Sequence, residues 1–266
     1  EKDYPLLAKV IAVVLFVVLC LLVPALLSMR PRQAIIGRSG AGEVQGGEMT
    51  KPTLKFGDVG GMEEAKKQIR ELVQANLDGR KFGQYGVSRN GILLHGPRGT
   101  GKTFLAEATA GEFGLNYSYV SAARLLNRFV GMTEENIRTV FVEALARQPV
   151  LLFIDEIDAL GTKRQQVGDS DDVGGAARSF NSMTARLMEC VDDARRQHRL
   201  ILVAATNFYD GLDRALIREG RFDLHIRLDL PNEDERARIF AAQLAKRPAH
   251  QIDTQPFARR TPGWSA

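Results

Sequence analysis

Gly96-Pro97-Arg98-Gly99-Thr100-Gly101-Lys102-Thr103 sets two glycines, a lysine and a hydroxyl at the spacing G-x-x-x-x-G-K-[ST]. Such glycines let backbone N–H groups close around phosphate oxygens. A helix beginning at the lysine adds a dipole that favours anions. Lys102 is expected to reach the β- and γ-phosphates of a nucleotide, and the Thr103 hydroxyl to bind Mg²⁺. About fifty residues later, Leu151-Leu152-Phe153-Ile154-Asp155-Glu156 ends an apolar run in two carboxylates. Asp155 is expected to hold Mg²⁺ through water, and Glu156 to orient and deprotonate the attacking water. Two adjacent acids on their own mark a solvated turn more often than a site. Here the apolar run before them and the phosphate loop upstream select the catalytic role. Asp158 reads as a helix-start or loop residue, not as a third catalytic acid.

These groups need elements that hold them. Ile92–His95 is a short apolar run ending at a glycine, and Thr103–Phe113 follows with helix formers. Tyr117–Val120 is aromatic and β-branched, and Thr133–Arg147 has a helical apolar face through Ile137, Val140, Phe141 and Leu145. Val150–Ile154 and Leu200–Ala205 are continuous apolar runs, as expected of strands buried on both faces, and His225–Leu230 alternates. Gln165–Gly175 reads as a short polar, acidic loop. Strands separated by helical stretches imply βαβ units: an α/β fold with a mainly parallel five-stranded sheet and helices on both faces. Ligands of such sheets bind beyond the C-terminal strand ends, where the motifs above fall.

Composition narrows the class. The chain has 266 residues, 44% hydrophobic and 26% charged, with two cysteines and a net charge of +4. These values exclude a disordered or collagenous chain, a disulfide scaffold and a cysteine zinc cluster. They also give no ground for a nucleic-acid partner. The apolar residues are unevenly spread. Val10–Leu27 is 18 residues without a charge, about 27 Å as a helix. With Leu6, Leu7 and Met29 it spans the roughly 30 Å hydrocarbon core, so a membrane helix is expected over residues 6–29. Arg30, Arg32 and Arg38 place the following domain on the cytoplasmic side, or in an equivalent compartment such as the mitochondrial matrix. Residues 30–52, rich in glycine and proline, read as a linker. Residue 1 is Glu and the chain stops at Ala266, so both ends read as cut.

The order and spacing of five motifs resemble AAA ATPases. They are Asp58-Val59-Gly60-Gly61, the phosphate loop, Phe153–Asp158, Ala205-Thr206-Asn207, and the stretch from Leu212 to Asp223 that contains Arg218-Glu219-Gly220-Arg221. The resemblance covers about residues 54–266. It implies a three-layer P-loop sandwich over residues 53–231, and over 232–266 the start of a helical lid. It implies ATP and Mg²⁺ as ligands and a homo-oligomeric, hexameric ring acting on polypeptides. Residue by residue, Val59 and Gly60 match the segment that contacts adenine. Asn207 matches the sensor that polarises the attacking water or binds the γ-phosphate, and Arg218 and Arg221 match arginine fingers that reach a neighbouring subunit's nucleotide. Phe129-Val130-Gly131 stands where the family has its aromatic pore loop.

The membrane run, the glycine-rich linker, Phe56–Gly61 and Thr261-Pro262-Gly263-Trp264-Ser265 are most similar to membrane-anchored FtsH-like zinc metalloproteases. No H-E-x-x-H occurs in these residues, so zinc-dependent proteolysis is not expected of them. Three departures from the family stand out. Arg98 replaces a proline of the loop. Glu219 puts a carboxylate between the two arginines, an arrangement expected to slow hydrolysis in trans. Met188–His198 lacks the D-G-F stretch that transmits nucleotide state between subunits. The expected function is ATP hydrolysis by a membrane-anchored ring that unfolds or extracts proteins. The alternatives are a remodeller without a protease, a nucleic-acid ATPase, and a membrane scaffold that binds ATP without turnover.

Overall fold

A computed structural model describes residues 48–265 apart from 79–90, 127–131, 162–170, 195, 198, 219 and 246–251, with the backbone alone at 48 and over 171–180. The expected membrane run 6–29, the linker up to residue 47, Phe129-Val130-Gly131 and Glu219 lie outside the described residues. Among the described residues no helix is long and apolar enough to cross a membrane.

The strands are β1 (Glu48–Thr50), β2 (Gly91–His95), β3 (Asn116–Ser121), β4 (Val150–Asp155), β5 (Leu200–Thr206) and β6 (Leu224–Arg227). The longer helices are α1 (Glu63–Leu77), α2 (Lys102–Glu112), α3 (Met132–Ala146), α4 (Asp171–Ala194), α5 (Glu233–Leu244) and α6 (Gln255–Arg260). The sheet order is β1-β3-β4-β5-β2-β6. The five strands expected from sequence are all parallel.

The sixth strand corrects the sequence reading. Glu48–Thr50 falls inside the stretch read as linker, yet it pairs antiparallel with β3, Met49 opposite Ser118. Three residues carry no periodicity, and an edge strand needs only backbone partners on one side. A second correction concerns the polar loop, whose end is helical: α4 begins at Asp171.

The pleat divides the core in two. Leu152 and Ile154 of β4, Leu200, Leu202 and Ala204 of β5 and Leu93 of β2 face Ile137, Val140 and Phe141 of α3 and Leu187 and Val191 of α4. Their neighbours Leu151, Phe153, Ile201, Val203, Ile92 and Leu94 face Ile69 and Val73 of α1 and Leu105 and Ala108 of α2. Central strands apolar at every position therefore serve two helical layers. Each fully buried Leu, Ile or Val contributes about 1.5–3 kcal/mol of transfer free energy. A rigid sheet results, and its C-terminal edge is where the chemistry-bearing side chains project.

The C-terminal helices are separately anchored. Asn232 accepts from the Glu235 N–H at 2.9 Å, and the Glu235 carboxylate accepts from the Asn232 N–H at 3.0 Å, which starts α5. The buried Arg236 guanidinium donates to Ala258 O and Pro231 O, which ties α5 to α6.

Candidate nucleotide-hydrolysing site

Because β2, β4 and β5 are parallel neighbours in the order β4-β5-β2, their C-terminal ends lie side by side. β2 delivers the phosphate loop, β4 delivers Asp155 and Glu156, and β5, between them, delivers Asn207.

The loop turns at Gly96, with φ 142°, and at Gly101, with φ 83°, the residue that caps α2. A Cβ on Gly96 would stand 2.0 Å from Leu228 O, so no other residue fits there. Lys102 is the first residue of α2 and its side chain folds back into the loop. Its ammonium donates to Gly96 O at 2.9 Å and to Pro97 O at 2.6 Å. Burial pushes its pKa down, and the nearby Asp155 carboxylate opposes this. Thr100 Oγ1 also donates to Pro97 O, at 3.0 Å. The loop thus encircles one cation and abuts the N-terminus of an eleven-residue helix, a setting that attracts phosphate.

One residue further, Thr103 Oγ1 donates to Asp155 Oδ2 at 3.3 Å. The other carboxylate oxygen, Oδ1, accepts from the Glu156 N–H at 2.9 Å. A hydroxyl and a carboxylate facing each other form a hard-oxygen pair that suits Mg²⁺, which binds few protein ligands beside water and phosphate. Glu156 has φ 53°, left-handed backbone that a non-glycine residue adopts at a cost of about 1–3 kcal/mol. That turn takes the exposed Glu156 off the strand line, while the buried Ile157 behind it donates its N–H to Ala205 O at 3.0 Å.

Asp158 is not a third acid at the site. It opens a single helical turn, and its Oδ1 accepts from Thr206 Oγ1 at 2.7 Å. The same hydroxyl accepts from the Phe208 N–H at 2.9 Å. The backbone on both sides of the exposed Asn207 is therefore fixed from the β4 turn, a link between residues 48 apart that no local spacing reveals.

Val59 and Gly60 line a cavity of about 250 Å³ with Met62, Phe104, Ile239 and Gln243, next to Gly101 of the loop. A Cβ on Gly60 would meet the Ile239 backbone at 2.6 Å, so this glycine lets the segment lie directly on α5. Sequence reasoning missed two residues that hold this wall. Lys66, buried on the apolar face of α1, donates to Val59 O at 2.5 Å and to Glu63 Oε1 at 3.1 Å. Glu235 accepts from the Met62 N–H at 3.4 Å. A lysine among Ala65, Ile69 and Val73 was a readable signal, because a cation on a core-facing stripe must have a partner.

The two arginines are separated. Arg218 is exposed at the end of the turn Arg214–Ile217. Arg221 is buried within its own chain: Nε and Nη2 donate to the two Asp192 oxygens at 2.9 and 2.8 Å, and Nη1 donates to Ala215 O at 2.8 Å. The structure thus presents Arg218 outward and commits Arg221 inward, where the sequence treats them alike.

His95 directly precedes the loop, and burial, His225 and Arg227 lower its pKa from 6.5. The unfolded chain therefore binds the proton more readily. The resulting stability is complete above about 6.5 and is lost as pH falls toward the lowered value. Urea unfolding on either side of that pH should show stability rising with pH, with a shallower slope in His95→Gln.

Residues 92–230 match the ATPase family associated with various cellular activities (AAA). The FtsH ATP-dependent zinc metalloprotease of Cyanidium caldarium is 40% identical over 217 residues, 81% of this chain and 34% of that protein. The YME1 subunit of the mitochondrial inner membrane i-AAA protease supercomplex of Saccharomyces cerevisiae is 38% identical over 220 residues, 82% of this chain and 28% of that protein. FtsH 3 of Sphaerobacter thermophilus is 37% identical over 236 residues, 88% of this chain and 46% of that protein. The chain therefore spans between about a quarter and a half of the length of these relatives. A phosphate loop closed around Lys102, a hydroxyl–carboxylate pair beside it and a family match over more than half the chain lead to one conclusion: this chain belongs to the AAA family of ATPases, with FtsH and YME1 among its relatives.

Proposed function

We propose that the chain hydrolyses Mg²⁺·ATP as the motor module of a membrane-anchored ring that unfolds or extracts polypeptides on behalf of a zinc protease. The observation that supports this most directly is the strand-end arrangement. Thr103 and Asp155 face each other at 3.3 Å, and Glu156 is turned out of β4 beside them. In this proposal the loop N–H groups and Lys102 bind the phosphates, and the cavity at Val59 and Gly60 takes the adenine. Thr103 and Asp155 hold Mg²⁺, the latter through water, and the ion supplies charge neutralisation to the transferring phosphoryl group. Glu156 takes the proton of the attacking water, and Asn207 orients that water. Arg218 reaches the neighbouring subunit's nucleotide.

Residues 6–29 anchor the protein in the membrane, with the ATPase on the cytoplasmic or matrix side. Residues 53–231 form the large subdomain, and 232–266 begin the lid. Phe129-Val130-Gly131 grips the polypeptide in a hexameric ring. The test is ATP hydrolysis by the full-length protein in liposomes, with and without unfolded casein or single-stranded DNA. Stimulation by casein alone is expected. Stimulation by DNA alone would overturn the polypeptide role.

A further inference from the structure

His95, Tyr209 and His225 form a cluster that the proposed chemistry leaves unused. His225 Nε2 lies 2.8 Å from Phe222 O. A carbonyl only accepts, so Nε2 carries the proton and Nδ1 of the neutral ring is an acceptor. The Tyr209 hydroxyl, 3.0 Å from Nδ1, is then the donor. The Tyr209 ring rests on His95 with centroids 4.3 Å apart.

Each member touches a different working segment. His95 immediately precedes Gly96 of the phosphate loop. Tyr209 stands two residues beyond Asn207. The Phe222 carbonyl that anchors His225 follows Arg221 and ends the turn that begins at Arg218. β6 carries His225 opposite Leu93 of β2, two residues before His95, so the two histidines share one face of the sheet.

We propose that Tyr209 and His225, with His95 stacked beneath the tyrosine, are positioning residues that fix the Asn207 segment and the arginine-bearing turn in one register within a subunit. This rests on the roles given above to Asn207 and Arg218. It supplies a route between the nucleotide and the arginine turn in a chain that lacks the D-G-F stretch. The link works only while His225 is neutral, because a protonated ring has no acceptor at Nδ1. The other charged groups facing His95 are Arg227, Asp229 and Asp210, the first two paired with each other at 2.8 Å.

The test compares kcat and KM for ATP in the full-length wild type, Tyr209→Phe and His225→Gln. Tyr209→Phe keeps the ring stack and removes the donor. Its kcat should fall roughly two- to thirtyfold at unchanged KM for ATP. His225→Gln offers one acceptor for Tyr209 and one donor for the Phe222 carbonyl, so it should keep kcat. If Tyr209→Phe matches the wild type in kcat, or if His225→Gln loses as much kcat as Tyr209→Phe, the link is overturned, even if melting temperatures drop. If the wild type itself does not hydrolyse ATP, the link falls together with the site on which it rests.

Discussion

Glu156→Gln is expected to bind ATP as the wild type does and to hydrolyse it about 10²–10⁴-fold more slowly. That range corresponds to about 3–5 kcal/mol of transition-state stabilisation. The substitution keeps size and hydrogen bonding but cannot accept the proton of water. The left-handed backbone at Glu156 is set by the Glu156 N–H to Asp155 bond and by the Ile157 N–H to Ala205 O bond, neither of which uses the Glu156 side chain. The loop and the Thr103–Asp155 pair should therefore survive intact. Lys102→Ala should behave in the opposite way. It removes the cation from the centre of the loop, so binding itself should fail. Titration with a fluorescent ATP analogue together with phosphate release separates the two outcomes. Normal turnover by Glu156→Gln would remove Glu156 from the chemistry.

The parts of the molecule legible in sequence were those with local periodicity or a fixed motif. Continuous apolar runs gave β4 and β5, since strands buried on both faces need apolar residues at every position. The phosphate loop was readable because its glycines answer to backbone geometry. The illegible parts depend on partners far apart in the chain. Glu235 meets Met62 across 173 residues, and Arg221 meets Asp192 across 29. No spacing rule encodes those pairings, and only the folded α/β domain brings the segments together. β1 escaped for another reason: three residues between glycine and proline look like linker until β3 offers them backbone partners. The cluster at His95 belongs to the first kind, since nothing local distinguishes Tyr209 from a loop tyrosine until β6 places His225 beside it.

Arg218→Ala is expected to lower turnover by about 10³-fold or more, the scale of an arginine finger, with nucleotide binding and melting temperature unchanged. Its exposed guanidinium, at the end of a four-residue turn, contributes little to the fold of its own chain. Mixing is the decisive measurement. An Arg218→Ala subunit keeps a sound pocket, and a Lys102→Ala subunit keeps a sound Arg218. If Arg218 acts across the interface, two inactive preparations should regain activity when co-assembled. If it acts within its own subunit, they should not.

Arg221→Ala should differ in kind. It deletes three donors to Asp192 and Ala215 from a buried position, so the loss should appear first as stability. Because the Asp192 side chain is 45% exposed, solvent repays part of the break. A cost of about 1–3 kcal/mol follows, below that of a fully buried pair. Asp192→Asn, which keeps an acceptor for the guanidinium, should cost less. Should Arg221→Ala instead melt like the wild type and fail to hydrolyse ATP, then Arg221 must leave Asp192 when the ring forms. Asp192 would then be the group that holds it back. That residue lies in the Met188–His198 segment where the family's D-G-F stretch is missing, so the same pair of variants also measures whether this segment still answers to the neighbouring subunit.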